Sequence, residues 1–364
     1  MSVCRLVEQG FQRGSCLVRH GDKQDFACRL TLRYEDGTPY RLIASAHLSR
    51  PEHYLSIYQS GCNLSCRKCH SWYFTKHVKG EWFSPDDIVK LVENYLVVYG
   101  EKIYREPRER ATHFHASDLC RGCGACVKLE NPIFWGGNLD EVVLVPTGKR
   151  SRFCPGKLKP EHVVLSPQGF GPARNIVAFT GGDLACHPEF YASSAERIKE
   201  LDEEIWVLFE TNGYGLTPKN LELFRRSGID SFWLDIKAYD ENVHKALTGV
   251  SNKRILKLPE QIVSKEFILE VLSLYIPGWV ETDQIERIAA LLAEVDEEMP
   301  FTILAFFPEY KLKNLSPPSL EQMLSAYTAA KKAGLKNVKL GNISQFVKTE
   351  KDLQILMKLA PNSF

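Results

Sequence analysis

The chain has 364 residues, 44% of them hydrophobic, and a formal net charge of +1; that is enough for one large domain with an appendage, or for two or three smaller ones, with a normal buried core. The near-neutral balance shows no basic stripe or acidic tail, which argues against a nucleic-acid or anionic-membrane partner. No apolar run reaches the ~18 residues that span a bilayer, and the N-terminus lacks the apolar stretch of a signal peptide, so a soluble, cytoplasmic protein is expected.

Residues 1–50 read as a small β-rich domain, in which "FACRLTLRY" and "YRLIASAHL" flank a hairpin turn at Asp36-Gly37. "YLSIYQS" (54–60) is a short apolar strand that ends at a first cysteine group, Cys62, Cys66 and Cys69. "SPDDIVKLVENYLVVYG" (84–100) is an amphipathic helix, with Ser84 as N-cap, Pro85 at the first helical position and two aspartates at its positive end. Residues 101–172 break the pattern. They are rich in Gly, Pro, Cys and charge, and read as an insertion holding a second cysteine group, Cys120, Cys123, Cys126 and Cys154. His113 and His115 just ahead of it read as loop residues.

From 173 to 364 the rhythm is strict. "NIVAFTGG", "IWVLFETN", "SFWLDIK", "FILEVLSLYIPG" and "FTILAFFP" each precede an amphipathic helical stretch, and "KNVKLGN" follows as a last strand. Continuous apolar strands alternating with amphipathic helices mean βα units and a parallel sheet. With residues 51–100 as its first part, the fold expected is α/β: a partial (βα)6-type TIM barrel with an N-terminal β-rich domain and an inserted ferredoxin-like Fe–S region. In such folds chemistry sits at the C-terminal strand ends, where Cys62, Gly181, Asn212, Lys237, Gly278 and Pro308 are expected.

Eleven cysteines, seven of them in two tight groups, favour metal thiolates over disulfides. Cys4, Cys16, Cys28 and Cys186 are scattered and read as ordinary buried small hydrophobes. The first group is C-x3-C-x2-C. A structural zinc needs four protein ligands, and the one near candidate, His70, adjoins Cys69, where paired ligation is strained. Three thiolates on one loop can instead hold three corners of a [4Fe–4S] cube and leave one iron open; spacing alone favours iron–sulfur and leaves zinc as the alternative. The second group, C-x2-C-x2-C with a distant Cys154-Pro155, fits an auxiliary [4Fe–4S] cluster with all four corners filled; Glu130 stands where the usual fourth cysteine of a two-cluster run would be. Four-thiolate zinc is the alternative there too.

With its C-x3-C-x2-C loop after the first strand of a βα barrel, the sequence resembles the radical SAM superfamily. The resemblance implies that Cys62, Cys66 and Cys69 bind the catalytic cluster, whose open iron takes the amino and carboxylate groups of S-adenosylmethionine (SAM). It implies reductive cleavage to methionine and a 5′-deoxyadenosyl radical. "TGGD" (180–183) is similar to the superfamily's GGE motif and would place Gly181, Gly182 and Asp183 at the SAM amino group. "ETNG" would offer Glu210 and Asn212, and "YIPGWVE" would set Ile276 beside adenine, near Gly278 and Glu281. Many members have an aromatic residue before the third cysteine; here Lys68 stands there, and Trp72 or Tyr73 is the candidate adenine contact in its place.

"LDIKAYDENVHKALTGVSNKRIL" (234–256) resembles glycyl-radical-enzyme activating enzymes such as the pyruvate formate-lyase activase, with Asp235, Lys237, Asp240, His244 and Asn252 in register. By that resemblance Asp235 and Lys237 touch SAM polar groups or a cation, and His244 lies near its ribose or carboxylate; read from the residues alone, His244 is a helix-surface residue. The likeness covers roughly residues 52–100 and 173–343. It implies anaerobic hydrogen abstraction from a residue of a protein or peptide, giving a glycyl radical or a C-methylated side chain, with a flavodoxin or ferredoxin as electron donor. A cobalamin-dependent protein C-methyltransferase, such as a methyl-coenzyme M reductase glutamine methylase, is the first alternative, although no cobalamin motif is present. A non-catalytic Fe–S electron-transfer or zinc protein is the second.

Overall fold

The computed structural model describes residues 4–49, 54–105 and 169–363, with short pieces at 133–135, 142–144, 161 and 163–166. Seven parallel strands form the frame: β1 (Tyr54–Gln59), β2 (Ile176–Gly181), β3 (Trp206–Thr211), β4 (Ser231–Asp235), β5 (Ile268–Tyr275), β6 (Phe301–Ala305) and β7 (Val338–Gly341). They lie side by side in chain order, each paired with the next. Every strand expected from the βα rhythm is present, within one to three residues of its expected ends. Strand interiors are buried on one face at Val177, Phe179, Val207 and Phe209 and on the other at Ile176, Ala178, Trp206 and Leu208, the signature of a sheet covered on both faces.

Among the described residues, the helices of eight residues or more are α1 (Pro85–Tyr99), α2 (Glu189–Leu201), α3 (Pro218–Arg226), α4 (Glu241–Thr248), α5 (Thr282–Val295), α6 (Leu320–Lys332) and α7 (Glu350–Leu359). Each follows a strand, and α1 starts as its sequence dictates. The Ser84 hydroxyl accepts from the Asp87 N–H at 3.2 Å while the Asp87 carboxylate accepts from the Ser84 N–H at 3.0 Å, and Pro85 occupies the first turn.

The N-terminal hairpin, Leu32–Glu35 with Thr38–Ser49, turns at Asp36 (φ 48°) and Gly37 (φ 82°), the double positive φ of a two-residue hairpin loop. Its first strand begins later than the apolar pattern implied, because Ala27–Leu30 form a helical turn. The long second strand pairs antiparallel with β1, so the hairpin continues the main sheet and covers its first edge. At the two ends of the 101–172 segment, Ile103–Tyr104 pairs in parallel with Ala173–Arg174, which places those ends side by side. Cys120, Cys123, Cys126, Cys154, His113 and His115 lie outside the described residues.

Candidate active site

The loop after β1 carries Cys62, Cys66 and Cys69, and three neighbouring segments hold it by its backbone. The Asn63 N–H donates to the Asp183 carbonyl beyond β2 at 2.9 Å. Ser65 and Arg67 donate to the carbonyls of Thr248 (2.9 Å) and Leu247 (2.8 Å), the open last turn of α4. The Arg67 carbonyl accepts from Lys311 at 3.2 Å. Asn63, fully buried, accepts at Oδ1 from Asn212 Nδ2 at 2.8 Å and donates to the Tyr214 carbonyl. A lone asparagine inside a cysteine motif carries no signal in sequence, so this anchor was not anticipated.

The loop opens on a cavity of about 360 Å³. Its lining includes Cys62, Cys66 and Cys69, and also Gly181, Asp183, Glu210, Asn212, Asp235 and Lys237 from the ends of β2, β3 and β4. Trp233, Leu272, Leu274, Leu304 and Phe307 give it an apolar wall. Gly182, His244 and Ile276 are not among the lining residues.

The TGGD turn does more for the chain than for the cavity. A Cβ on Gly182 would sit 2.1 Å from the Gly61 carbonyl oxygen, and one on Gly181, at φ 85°, would sit 2.8 Å from the Phe74 ring. The glycines are required because the β2 loop and the cysteine loop touch. Asp183 is equally committed: one oxygen accepts from Ala185 N–H at 2.8 Å, the other from Thr211 Oγ1 at 2.7 Å and Asn212 N–H at 2.9 Å. Burial nonetheless raises its pKa, with those bonds opposing.

Asp235 and Lys237 form an ion pair on the cavity wall. Burial depresses the Lys237 pKa, but Asp235 and then Cys66 outweigh it, and the net shift is upward. Asp235 Oδ1 is buried without a hydrogen-bond partner, an acceptor that a ligand in the cavity would satisfy. Glu210 is fixed by Tyr54 Oη (2.7 Å) and Thr180 Oγ1 (2.5 Å).

His244 is fully buried rather than on the helix surface. Its Nδ1 lies 2.8 Å from the Val250 carbonyl and 3.2 Å from Thr248 Oγ1, and its Nε2 is buried without a partner. Asp240 caps α4, accepting from Asn242 and Val243, and Asn252 donates to the carbonyls of Ala238 and Tyr239. This motif therefore builds the turn on which the cysteine loop rests. Ile276 is buried in the core, and its N–H donates to the Val280 carbonyl at 2.9 Å. Trp72 stacks on Tyr310 at 5.2 Å, outside the cavity lining, as is Tyr73. Lys68 fills the place of the missing aromatic: its Nζ is 2.5 Å from Glu309 and 3.4 Å from the centre of the Phe307 ring.

The residues present fit an iron–sulfur cluster. Burial pushes the Cys66 thiol up to about 12, with the Lys237 charge pulling the other way, so in an apolar setting its thiolate is stable only against a cation or metal. The Cys62 sulfur already has donors aimed at it, Leu64 N–H at 3.5 Å and Asn212 Nδ2 at 3.7 Å, the kind of N–H contact that tunes a cluster. Lys68, Lys76 and Lys237 share the lining with the three cysteines and offset thiolate charge. Among the described residues, no three His, Cys, Asp or Glu side chains converge on a single ion; a cube spreads its corner ligands further apart than an ion does.

Comparisons with known proteins agree with this geometry. Residues 167–292 match the Radical SAM superfamily. The chain is 32% identical over 135 residues to a Methanocaldococcus jannaschii protein named for glycyl-radical enzyme activation, covering 36% of this chain and 51% of that one. It is 27% identical over 161 residues to the pyruvate formate-lyase 1-activating enzyme of Escherichia coli, 40% of this chain and 64% of that protein. A third relative, the indoleacetate decarboxylase activating enzyme of Tractidigestivibacter scatoligenes, is 31% identical over 166 residues, 40% of this chain and 49% of that protein. The chain thus spans about half to two-thirds of the length of these relatives. It carries a radical SAM domain and is similar to glycyl-radical-enzyme activating enzymes.

Proposed function

We propose that this chain is a radical SAM enzyme that abstracts hydrogen from a residue of a protein or peptide. The observation that carries the reading is one of position: the C-x3-C-x2-C loop follows the first parallel strand and faces a cavity walled by the ends of the strands after it. Cys62, Cys66 and Cys69 would hold three irons of a [4Fe–4S] cluster. When bound, that cluster and SAM supply one-electron cleavage of the sulfonium and a 5′-deoxyadenosyl radical.

The chain's own residues bind, orient and shield. The unpartnered Asp235 oxygen would accept from an ammonium in the cavity, and the paired Lys237 would donate to a carboxylate. Asp183 holds the β3 end so that Asn212 reaches the Cys62 sulfur. The wall of Leu272, Leu274, Leu304, Trp233 and Phe307 keeps water and its side reactions away from reactive carbon.

The activating-enzyme relatives favour a protein glycine as target, with C-methylation as the other outcome. The test is anaerobic reconstitution with dithionite and SAM. Wild type should bind iron and form 5′-deoxyadenosine, and Cys66→Ala should form none. Zinc in place of iron, or full cleavage by Cys66→Ala, overturns the proposal. A doublet EPR signal on a candidate partner selects glycyl-radical installation, and transfer of label from methyl-labelled SAM selects methylation.

A further inference from the structure

Of the lysines on the cavity wall, Lys68 pairs with Glu309 and Lys237 with Asp235. Lys76, which lies in no motif of the sequence, is different. It is buried, and among the described residues its ammonium has no carboxylate partner. The carboxylates on the same wall are committed elsewhere. Asp183 accepts from Ala185, Thr211 and Asn212, Glu210 from Tyr54 and Thr180, and Asp235 pairs with Lys237. A buried charge without a counter-charge is costly, and an anion in the cavity removes that cost.

The fold fixes where the ammonium goes. The helical turn Trp72–Thr75 follows Cys69, and Lys76 closes it. Its N–H donates to the Trp72 carbonyl at 3.0 Å, and its carbonyl accepts from the Arg19 N–H at 2.9 Å. One residue earlier, Thr75 Oγ1 lies 3.4 Å from the Cys69 sulfur. The Lys76 side chain then crosses the cysteine loop and donates to the Leu64 carbonyl. Leu64 stands two residues from both Cys62 and Cys66, and its own N–H donates to the Cys62 sulfur at 3.5 Å. Lys76 thus grips, by its carbonyl, the residue whose N–H meets a cysteine sulfur.

A [4Fe–4S] cube on three thiolates is an anion, and the electron it accepts makes it more negative. A nearby fixed cation in a poorly polarisable setting favours the more negative form. We propose that Lys76 is the counter-charge of the three-cysteine cluster: a positioning residue that holds the Cys62–Cys66 turn through Leu64 and raises the potential at which the cluster accepts its electron. Lys68 and Lys237 contribute less, because a carboxylate offsets each. The inference rests on the cluster reading of the three cysteines and not on the identity of the substrate.

The full chain, reconstituted anaerobically, is titrated with dithionite as the one-electron reductant and followed by EPR without SAM, as wild type, Lys76→Met and Lys76→Arg. At a fixed solution potential, Lys76→Met should lower the ratio of reduced to oxidised cluster at least about tenfold, a negative midpoint shift of about 59 mV for a one-electron couple. Lys76→Arg, which keeps the charge, should stay near wild type. A lysine that only ties the turn would change Tm or iron content and leave the midpoint of the clusters that form where it was. That outcome in Lys76→Met overturns the proposal, as does an equal negative shift in Lys76→Arg. A measurement on wild type covers the case in which Lys76→Met does not fold. With isotopically labelled lysine nitrogen, the reduced cluster should show a lysine coupling by pulsed electron–nuclear double resonance, and its absence overturns the proposal. Zinc in place of iron in wild type would defeat the cluster reading itself, whereas a normal cluster with an unmoved midpoint defeats only the role of Lys76.

Discussion

At the scale of single residues, Asp235 is the most exposed to test. It carries an unsatisfied buried oxygen on the cavity wall and a lysine partner two residues on. A charge-assisted hydrogen bond contributes about 1.5–3 kcal/mol, so Asp235→Asn should weaken SAM binding by roughly ten- to a hundred-fold, measured by calorimetry on the reconstituted protein. Iron content should stay at the wild-type level, because Asp235 touches none of the three cysteines. Equal SAM affinity in the variant would remove Asp235 from the binding set. Some of the residues that meet at the cavity were legible in the sequence and others were not. The cysteines and the D-x-K pair stand out by spacing and type. The anchoring by Asn63 and the Lys68–Glu309 contact depend on partners more than a hundred positions away, which no local pattern encodes; His244 bonds locally to Val250 and Thr248, and only the packing of α4 makes it buried.

At the scale of elements, the site is a set of loops tied together, and the tightest tie is between the β1 and β2 loops. The Gly182 N–H donates to the Gln59 carbonyl at 2.8 Å, and no side chain fits between Gly182 and Gly61. Gly182→Ala must therefore push the cysteine loop away. We expect destabilisation of more than about 2 kcal/mol, read as a lower Tm, together with reduced iron incorporation; an unchanged iron content at unchanged Tm would show that the two loops are independent. Helix α1 offers a contrast, since neither Ser84 nor Asp87 of its cap lines the cavity. Ser84→Ala should cost about 1 kcal/mol and leave SAM cleavage at the wild-type level. Asp87 in the same cap has its pKa lowered, first by the Ser84 hydroxyl and then by the Ser84 N–H. A carboxylate whose folded pKa is depressed stabilises the fold at neutral pH. That contribution is lost only as pH falls below the ordinary aspartate value through the lowered one. An acid titration of Tm should show this loss in wild type and a smaller one in Ser84→Ala. These caps were legible because Ser-Pro-Asp-Asp is a local signal; the hairpin's merging with the main sheet was not, because strand pairing across the chain leaves no mark on either strand alone.

At the scale of the whole molecule, the sheet is open. Among the described residues β1 is bounded by the N-terminal hairpin and β7 has β6 as its strand neighbour, with no pairing between β1 and β7. The βα rhythm announced the seven strands, whereas the packing of the chain from 9 to 32 against the loop at 184–186 leaves no mark on either segment alone. An open sheet gives a flanking segment of a large substrate room that a closed barrel denies it. If the target is a residue of a protein, the hydrogen that reaches 5′-deoxyadenosine must come from a macromolecule. Cells of the source organism grown in heavy water supply both kinds of candidate: a deuterated protein fraction and a deuterated small-molecule fraction. Each is returned to ordinary buffer, so that only carbon-bound deuterium remains, and incubated with the reconstituted chain, SAM and dithionite. Deuterium in 5′-deoxyadenosine should appear with the protein fraction, and should vanish when that fraction is digested to single amino acids. Deuterium transfer from the small-molecule fraction alone would keep the radical chemistry and discard the protein substrate.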